Sequence, residues 1–181
     1  MVKDEIIKEI ISAFGRRDPK RLRRLQDMVL EDASIINSKK LFHLAIMTYV
    51  LSKVLSKPRF AQPVYRERML GIASYLGELD SILKTSTEEQ FDKKAQDFSI
   101  LIGKLESDDP RFVISLIAKG KLKVAATLYA QGISLGVASE ITGVEKQEVL
   151  SYAGHTMMFD RLKEEKKVGD RLRSLKNFVE G

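Results

Sequence analysis

Apolar residues recur every three or four positions along nearly the whole chain, and this period restricts the fold more than any other feature. Residues at that spacing share one face of an α-helix, whereas a half-buried strand needs alternation at every second position. No stretch alternates over a useful length, and no Asn-Gly or Asp-Gly turn separates two apolar runs. The expected class is all-α: a multi-helix bundle of nine or ten helices with no sheet.

Local punctuation marks where each helix starts and stops. Residues 3–14 place Ile6, Ile7, Ile10, Ile11 and Phe14 on one stripe, which Gly15 closes. Asp18-Pro19 supplies an N-cap and a first-turn proline for a second helix, with Leu22, Leu25, Met28 and Val29 inward. Ser38 is placed to cap a third, which carries Leu41, Leu44, Ala45, Thr48, Leu51 and Leu55 and stops before Pro58. Pro63 is expected to open a fourth, with Met69, Ile72, Ala73, Leu76, Leu79 and Leu83 inward. Thr87-Glu88-Glu89-Gln90 has capping-box spacing ahead of the stripe Phe91, Ala95, Phe98, Ile102 and Leu105. Asp109-Pro110 repeats the opening signal before Phe112, Val113, Leu116 and Ile117.

The longest apolar run, Leu41–Leu51, would span about 16 Å as a helix, roughly half a bilayer core, which predicts a buried helix. Met1–Phe14 is amphipathic and lacks the long apolar run of a signal peptide, so a cytoplasmic protein is expected. At 181 residues the chain can bury a core without covalent staples. It has no cysteine, which excludes disulfides, thiolate metal sites and thiol nucleophiles. The lack of cysteine and the presence of only two asparagines suit a thermophile. With two histidines, His43 and His155, a three-His zinc site is impossible.

Function must then be sought in charge and in one short segment. The net charge of +6 is unevenly spread: residues 1–57 carry 12 basic and 7 acidic side chains, and residues 58–107 carry 7 and 8. The densest basic cluster is Arg16, Arg17, Lys20, Arg21, Arg23 and Arg24, opposed only by Asp18. Such a cluster can hold a phosphate backbone. Alternatively, it is a solvated face paired with Asp27, Glu31 and Asp32. No aromatic residues interleave it, which favours duplex over single-strand contact.

Residues 121–155 imply three short helices, near 121–130, 134–142 and 145–153. Leu122, Ala125, Ala126 and Tyr129 can face the other two. Gly132 ends the first helix, Ser134 can cap the second, and Val137, Ala138 and Ile141 are expected inward. Gly143 suits a left-handed turn before the third, Val144 plugs the corner, and Val149 and Tyr152 return to the core.

The string Ile133-Ser134-Leu135-Gly136, followed by small residues, Glu140, Ile141 and Gly143, resembles the helix-turn-helix of short prokaryotic antitoxin-like regulators. The resemblance covers about 35 residues of the chain. It implies DNA binding through the third helix, often beside a separate protein-binding region. Two departures stand out. Glu145 occupies a position that is usually Ser or Thr, and Ser139 one that is more often Ala. Residues 122–155 also hold only Lys123 and Lys146 against Glu140, Glu145 and Glu148.

Other candidates have structural explanations. His43, within an apolar helix, suits a satisfied core histidine, and His155, at a helix end, suits a capping role. Either could act as a base only if a nucleophile and an orienting carboxylate converged on it. Glu88-Glu89 and Asp108-Asp109 complement helix dipoles. Neither a phosphate-binding Gly-rich loop nor a dinucleotide fingerprint occurs. No cofactor or metal is expected, and an enzyme with a carboxylate-only site is a distant third reading.

The sequence thus predicts a helical body over 1–119, a helix-turn-helix over 120–155 and a helical tail over 156–181. The leading expectation is a non-enzymatic regulator that binds double-stranded DNA as a homodimer. Lys146, Gln147 and Ser151 would face bases, and Arg16, Arg17, Lys20, Arg21, Arg24, Lys121 and Lys123 would hold phosphates. The competing expectation is a protein-interaction scaffold, with the tail as a dimer arm or partner-binding helix. In the tail, Val168, Leu172, Leu175 and Val179 fit one stripe beyond the charged run Lys163–Lys167.

Overall fold

The structure, a computed structural model, describes residues 2–36, 38–107 and 115–158. The described residues form eight α-helices and no strand: α1 (Val2–Gly15), α2 (Pro19–Ile36), α3 (Lys39–Leu55), α4 (Arg66–Thr85), α5 (Glu88–Glu106), α6 (Leu116–Ala130), α7 (Leu135–Thr142) and α8 (Lys146–His155). Two 3₁₀ turns, Pro58–Ala61 and Pro63–Tyr65, join α3 to α4. The described residues are all-α, as their periodicity predicts. The Asp109-Pro110 opening and the tail from residue 159 lie outside the described residues.

Most local signals act as their chemistry predicts. Asp18 accepts the Arg21 amide at 2.9 Å and so caps α2. Thr87 and Gln90 exchange both bonds of a capping box, at 2.9 and 3.2 Å. Two signals differ. Ser38 occupies the N-cap of α3 but makes no capping bond. Pro63 opens a 3₁₀ turn, and the α-helix begins three residues later, at Arg66. The two turns pack on one another through Phe60 and Tyr65, whose rings meet edge to face at 5.1 Å. That contact holds the reversal in a tight conformation before α4 can start.

Helix α3 is the centre of the bundle. Leu41, Phe42, Leu44, Ala45, Ile46, Met47, Val50, Leu51 and Val54 are buried around its circumference. A helix apolar on all sides must be surrounded, and α3 contacts α1, α2, α5, α6 and α7. Its buried Thr48 bonds back to the Leu44 carbonyl at 2.7 Å, so no polar group is left unmatched there. No helix among the described residues is long and apolar enough to cross a membrane. Three residues expected inward are exposed: Met28, Ala73 and Val137. Each is apolar, but at 100° per residue each lies well off the line of its helix's buried positions, such as Leu22, Val29 and Ala33 in α2.

Candidate nucleic-acid interface

Helix α6 has two packed sides. Val124 and Leu128 join the main core on α3, while Ala125 and Ala126 turn to a second, smaller core with Val144, Val149, Ala153 and Met158. The small alanines let α8 approach closely. Helix α6 runs unbroken through residues 119–120, so the body and the α7–α8 segment share one rigid element.

The segment 131–155 is built from local chemistry. Gly132 has φ +97° and Gly143 φ +66°, values that L side chains rarely adopt. Ser134 accepts the Val137 amide at 3.2 Å and caps α7. The Ser139 hydroxyl donates to the Val144 carbonyl at 2.6 Å and closes the turn after α7, which gives a serine there a purpose. Glu145 stands at the N-cap of α8 without a capping bond. Val149 and Ala153 are buried, the far side of α8 exposes Gln147, Leu150 and Ser151, and Lys146, one turn before Val149, is exposed at the start of the helix. His155 Nδ1 lies 2.7 Å from the Ser151 carbonyl oxygen and 3.3 Å from its Oγ, satisfying the last turn of α8.

The basic cluster divides in the fold. Leu22 and Leu25 are fully buried, and Lys20, Arg23 and Arg24 are exposed on the opposite face of α2. Arg16 and Arg17 stand exposed on the preceding turn, where Arg17 adopts φ +55°. Arg21 is bound instead to Glu9 of α1. Among the described residues, Arg16, Arg17, Lys20 and Arg24 form no ion pair.

Lys121 and Lys123 point to different sides of α6, as residues two apart on a helix must. Lys123 lies toward α2, where its charge acts on Asp27, and its ammonium donates to Met158 Sδ at 3.4 Å. Lys121 faces a cleft beside α3 and α5.

Tertiary packing gathers a cation group that no sequence run contains. Arg23 from α2 donates to Ser56 Oγ at 3.3 Å. Burial, and then the charges of Arg23 and of Lys119 from α6, lower the proton affinity of Lys53 on α3. Cations from two other helices therefore lie within electrostatic reach of Lys53. Tyr49 ties this group to α8: burial first, then Tyr152, push its hydroxyl up to about 12, while Arg23 acts against them. Among the described residues, the one buried carboxylate near the group is Glu106, which accepts the Leu116 amide at 2.7 Å and holds the start of α6. Lys53 and Lys119 lie on separate helices far apart in the chain, and their spacing in sequence carries no signal of this meeting.

No protein-family model, curated protein or solved structure matches this chain. Its function must be argued from this geometry alone.

His43 meets a carboxylate that the sequence did not reveal. Its Nε2 lies 2.9 Å from Asp92 Oδ1 on α5. Burial holds the imidazole below its usual value, and Lys121 and Lys39 act in the same direction against Asp92. No hydroxyl is bonded to His43 among the described residues. No group of metal-ligating side chains occurs among the described residues.

Proposed function

We propose that this protein is a helix-turn-helix nucleic-acid-binding regulator, with double-stranded DNA as its ligand. In this reading α7 and α8 form the motif, and α8 enters a major groove. Lys146 and Gln147 face base edges, with Gln147 able to pair with adenine and Lys146 with guanine or phosphate. Ser151 adds a shorter contact through its hydroxyl. The observation that carries the reading is the two-sidedness of α8. Its buried side is alanine and valine, its exposed side presents Gln147 and Ser151, and Lys146 stands exposed at its first position after a left-handed turn at Gly143.

Backbone phosphates would be held by Arg16, Arg17, Lys20 and Arg24 together with the Arg23–Lys53–Lys119 group. That group supplies the positive charge that residues 122–155 lack. A duplex presents two-fold related half-sites, so a homodimer would double the contacts of a weakly charged reading helix.

Fluorescence anisotropy of a labelled mixed-sequence duplex, at about 50 and 200 mM salt, tests the reading. Binding should fall steeply with salt, and Lys146→Ala with Gln147→Ala should alter sequence preference. Absence of binding at low salt and tens of micromolar protein would refute it.

A second reading, a helical scaffold or antitoxin-like protein that binds a protein partner, draws support from Val137 and Leu150. Both are large, apolar and exposed on α7 and α8, at 44% and 39%. Binding that persists at high salt and is lost on Leu150→Lys would favour it.

A further inference from the structure

The cleft between α3, α5 and α6 lies away from the Arg23–Lys53–Lys119 group and is not used by the reading above. It measures about 240 Å³ and is lined by His43, Met47, Asp92, Phe98, Ile117 and Lys121, among others. Its walls divide by chemistry. Met47, Phe98 and Ile117 supply an apolar side, and Asp92 and Lys121 supply two opposite charges.

Those two charges do not meet. Asp92 is paired with His43 through Oδ1, and its Oδ2 has no hydrogen-bond partner among the described residues. Lys121 forms no ion pair among them. A carboxylate and an ammonium facing one cleft without pairing leave a gap that a ligand with the reverse arrangement of charges would bridge. A charge-assisted bond to either group is stronger than one between neutral partners. The volume lies below the roughly 300–1,000 Å³ of pockets for drug-sized molecules, which restricts the ligand to a small one.

We propose that this cleft is a binding site for an apolar α-amino acid. The ligand carboxylate pairs with Lys121, its ammonium pairs with Asp92 Oδ2, and its side chain packs on Met47, Phe98 and Ile117. His43 is a positioning residue: its bond to Oδ1 fixes the Asp92 carboxylate so that Oδ2 faces the ligand. The site does not depend on whether α7 and α8 bind nucleic acid.

The test is an NMR titration of the full, isotopically labelled chain with L-leucine and L-phenylalanine, and separately with their des-amino acids, 4-methylpentanoate and 3-phenylpropanoate. One or both amino acids should give saturable shifts at backbone amides around residues 43–47, 92–99 and 117–121. Lys121→Met and Asp92→Asn should each weaken that binding by roughly 10- to 100-fold, the usual weight of a charge-assisted bond. Lys121→Met keeps the length of the apolar stem, so it decides the matter if Asp92→Asn disturbs the fold. Three results would overturn the proposal: no saturable shifts at about 10 mM ligand, des-amino acids that bind as well as the amino acids, or affinity unchanged in Lys121→Met.

Discussion

Gly120 sets how closely α6 approaches α3, and its substitution by alanine gives a stability change whose sign follows from the packing. A Cβ at Gly120 would lie 3.0 Å from Val50 Cγ2, 3.2 Å from Ile46 Cγ2 and 3.4 Å from Tyr49 Cδ1. Favourable carbon–carbon separations are about 3.5–4.0 Å. Valine and isoleucine in a helix hold one dominant χ1 rotamer, so their methyls cannot swing away and the two helices must part. Such overpacking costs about 1–3 kcal/mol, and alanine regains about 1 kcal/mol of helix propensity over glycine. Gly120→Ala should therefore lose about 1 kcal/mol net, and Gly120→Val about 3 kcal/mol, because valine adds bulk with less propensity gain. Gly77 in α4 is the internal control. It is exposed, and a Cβ there would meet nothing within 4 Å. Gly77→Ala should gain about 0.5–1 kcal/mol from propensity alone. Urea unfolding followed by far-UV circular dichroism measures all three against the wild type. A Gly120→Ala protein as stable as Gly77→Ala would refute the reasoning, since the two sites differ only in what surrounds them.

Two further expectations concern single residues. Arg17 adopts φ +55°, which costs an L-residue roughly 1–2 kcal/mol relative to a right-handed conformation. Arg17→Gly relieves that strain and should stabilise by about 0.5–1 kcal/mol after the entropy glycine adds to the unfolded chain. If Arg17 contacts a phosphate, the same substitution should reduce the salt slope of DNA binding by about one while raising the melting temperature. His43 should titrate below 6.5, the value of an unperturbed imidazole, with Asp92, Lys121 and Lys39 the charged groups acting on it. The unfolded chain then binds the proton more readily, so the His43 contribution to stability is full above pH 6.5 and is lost as the pH falls through the folded value. Lys121→Met should raise the folded value and Asp92→Asn should lower it. Imidazole NMR titration measures each, and a His43 value at or above 6.5 would contradict the account.

What could be read from the sequence shares a physical property: it depends on residues a few positions apart. The capping bonds at Asp18, Thr87 and Ser134 join residues three apart, so their geometry is set before any tertiary contact forms. The left-handed Gly143 and the buried Ala138, Val144 and Val149 follow from the same short range. The period of the apolar residues correctly gave the helical class, and the apolar run Leu41–Leu51 correctly gave a buried helix. It misplaced Met28, Ala73 and Val137 because apolar character alone does not say on which side of a stripe a residue falls.

The sequence by itself determined which segments are helical, where most of them begin, and that α3 is enclosed. The tertiary structure alone decided which charges meet. It set Asp92 against His43, turned Lys121 toward a cleft and Lys123 toward α2, bound Arg21 to Glu9, and gathered Arg23, Lys53 and Lys119 from three helices. Hydrophobic burial is non-directional and rewards any arrangement that removes the right stripes from water. A charged side chain on a stripe's edge finds its neighbour only when the rotation and crossing of the helices are fixed. Those are set by side-chain packing at contacts such as Gly120 on Val50, between residues far apart in the chain.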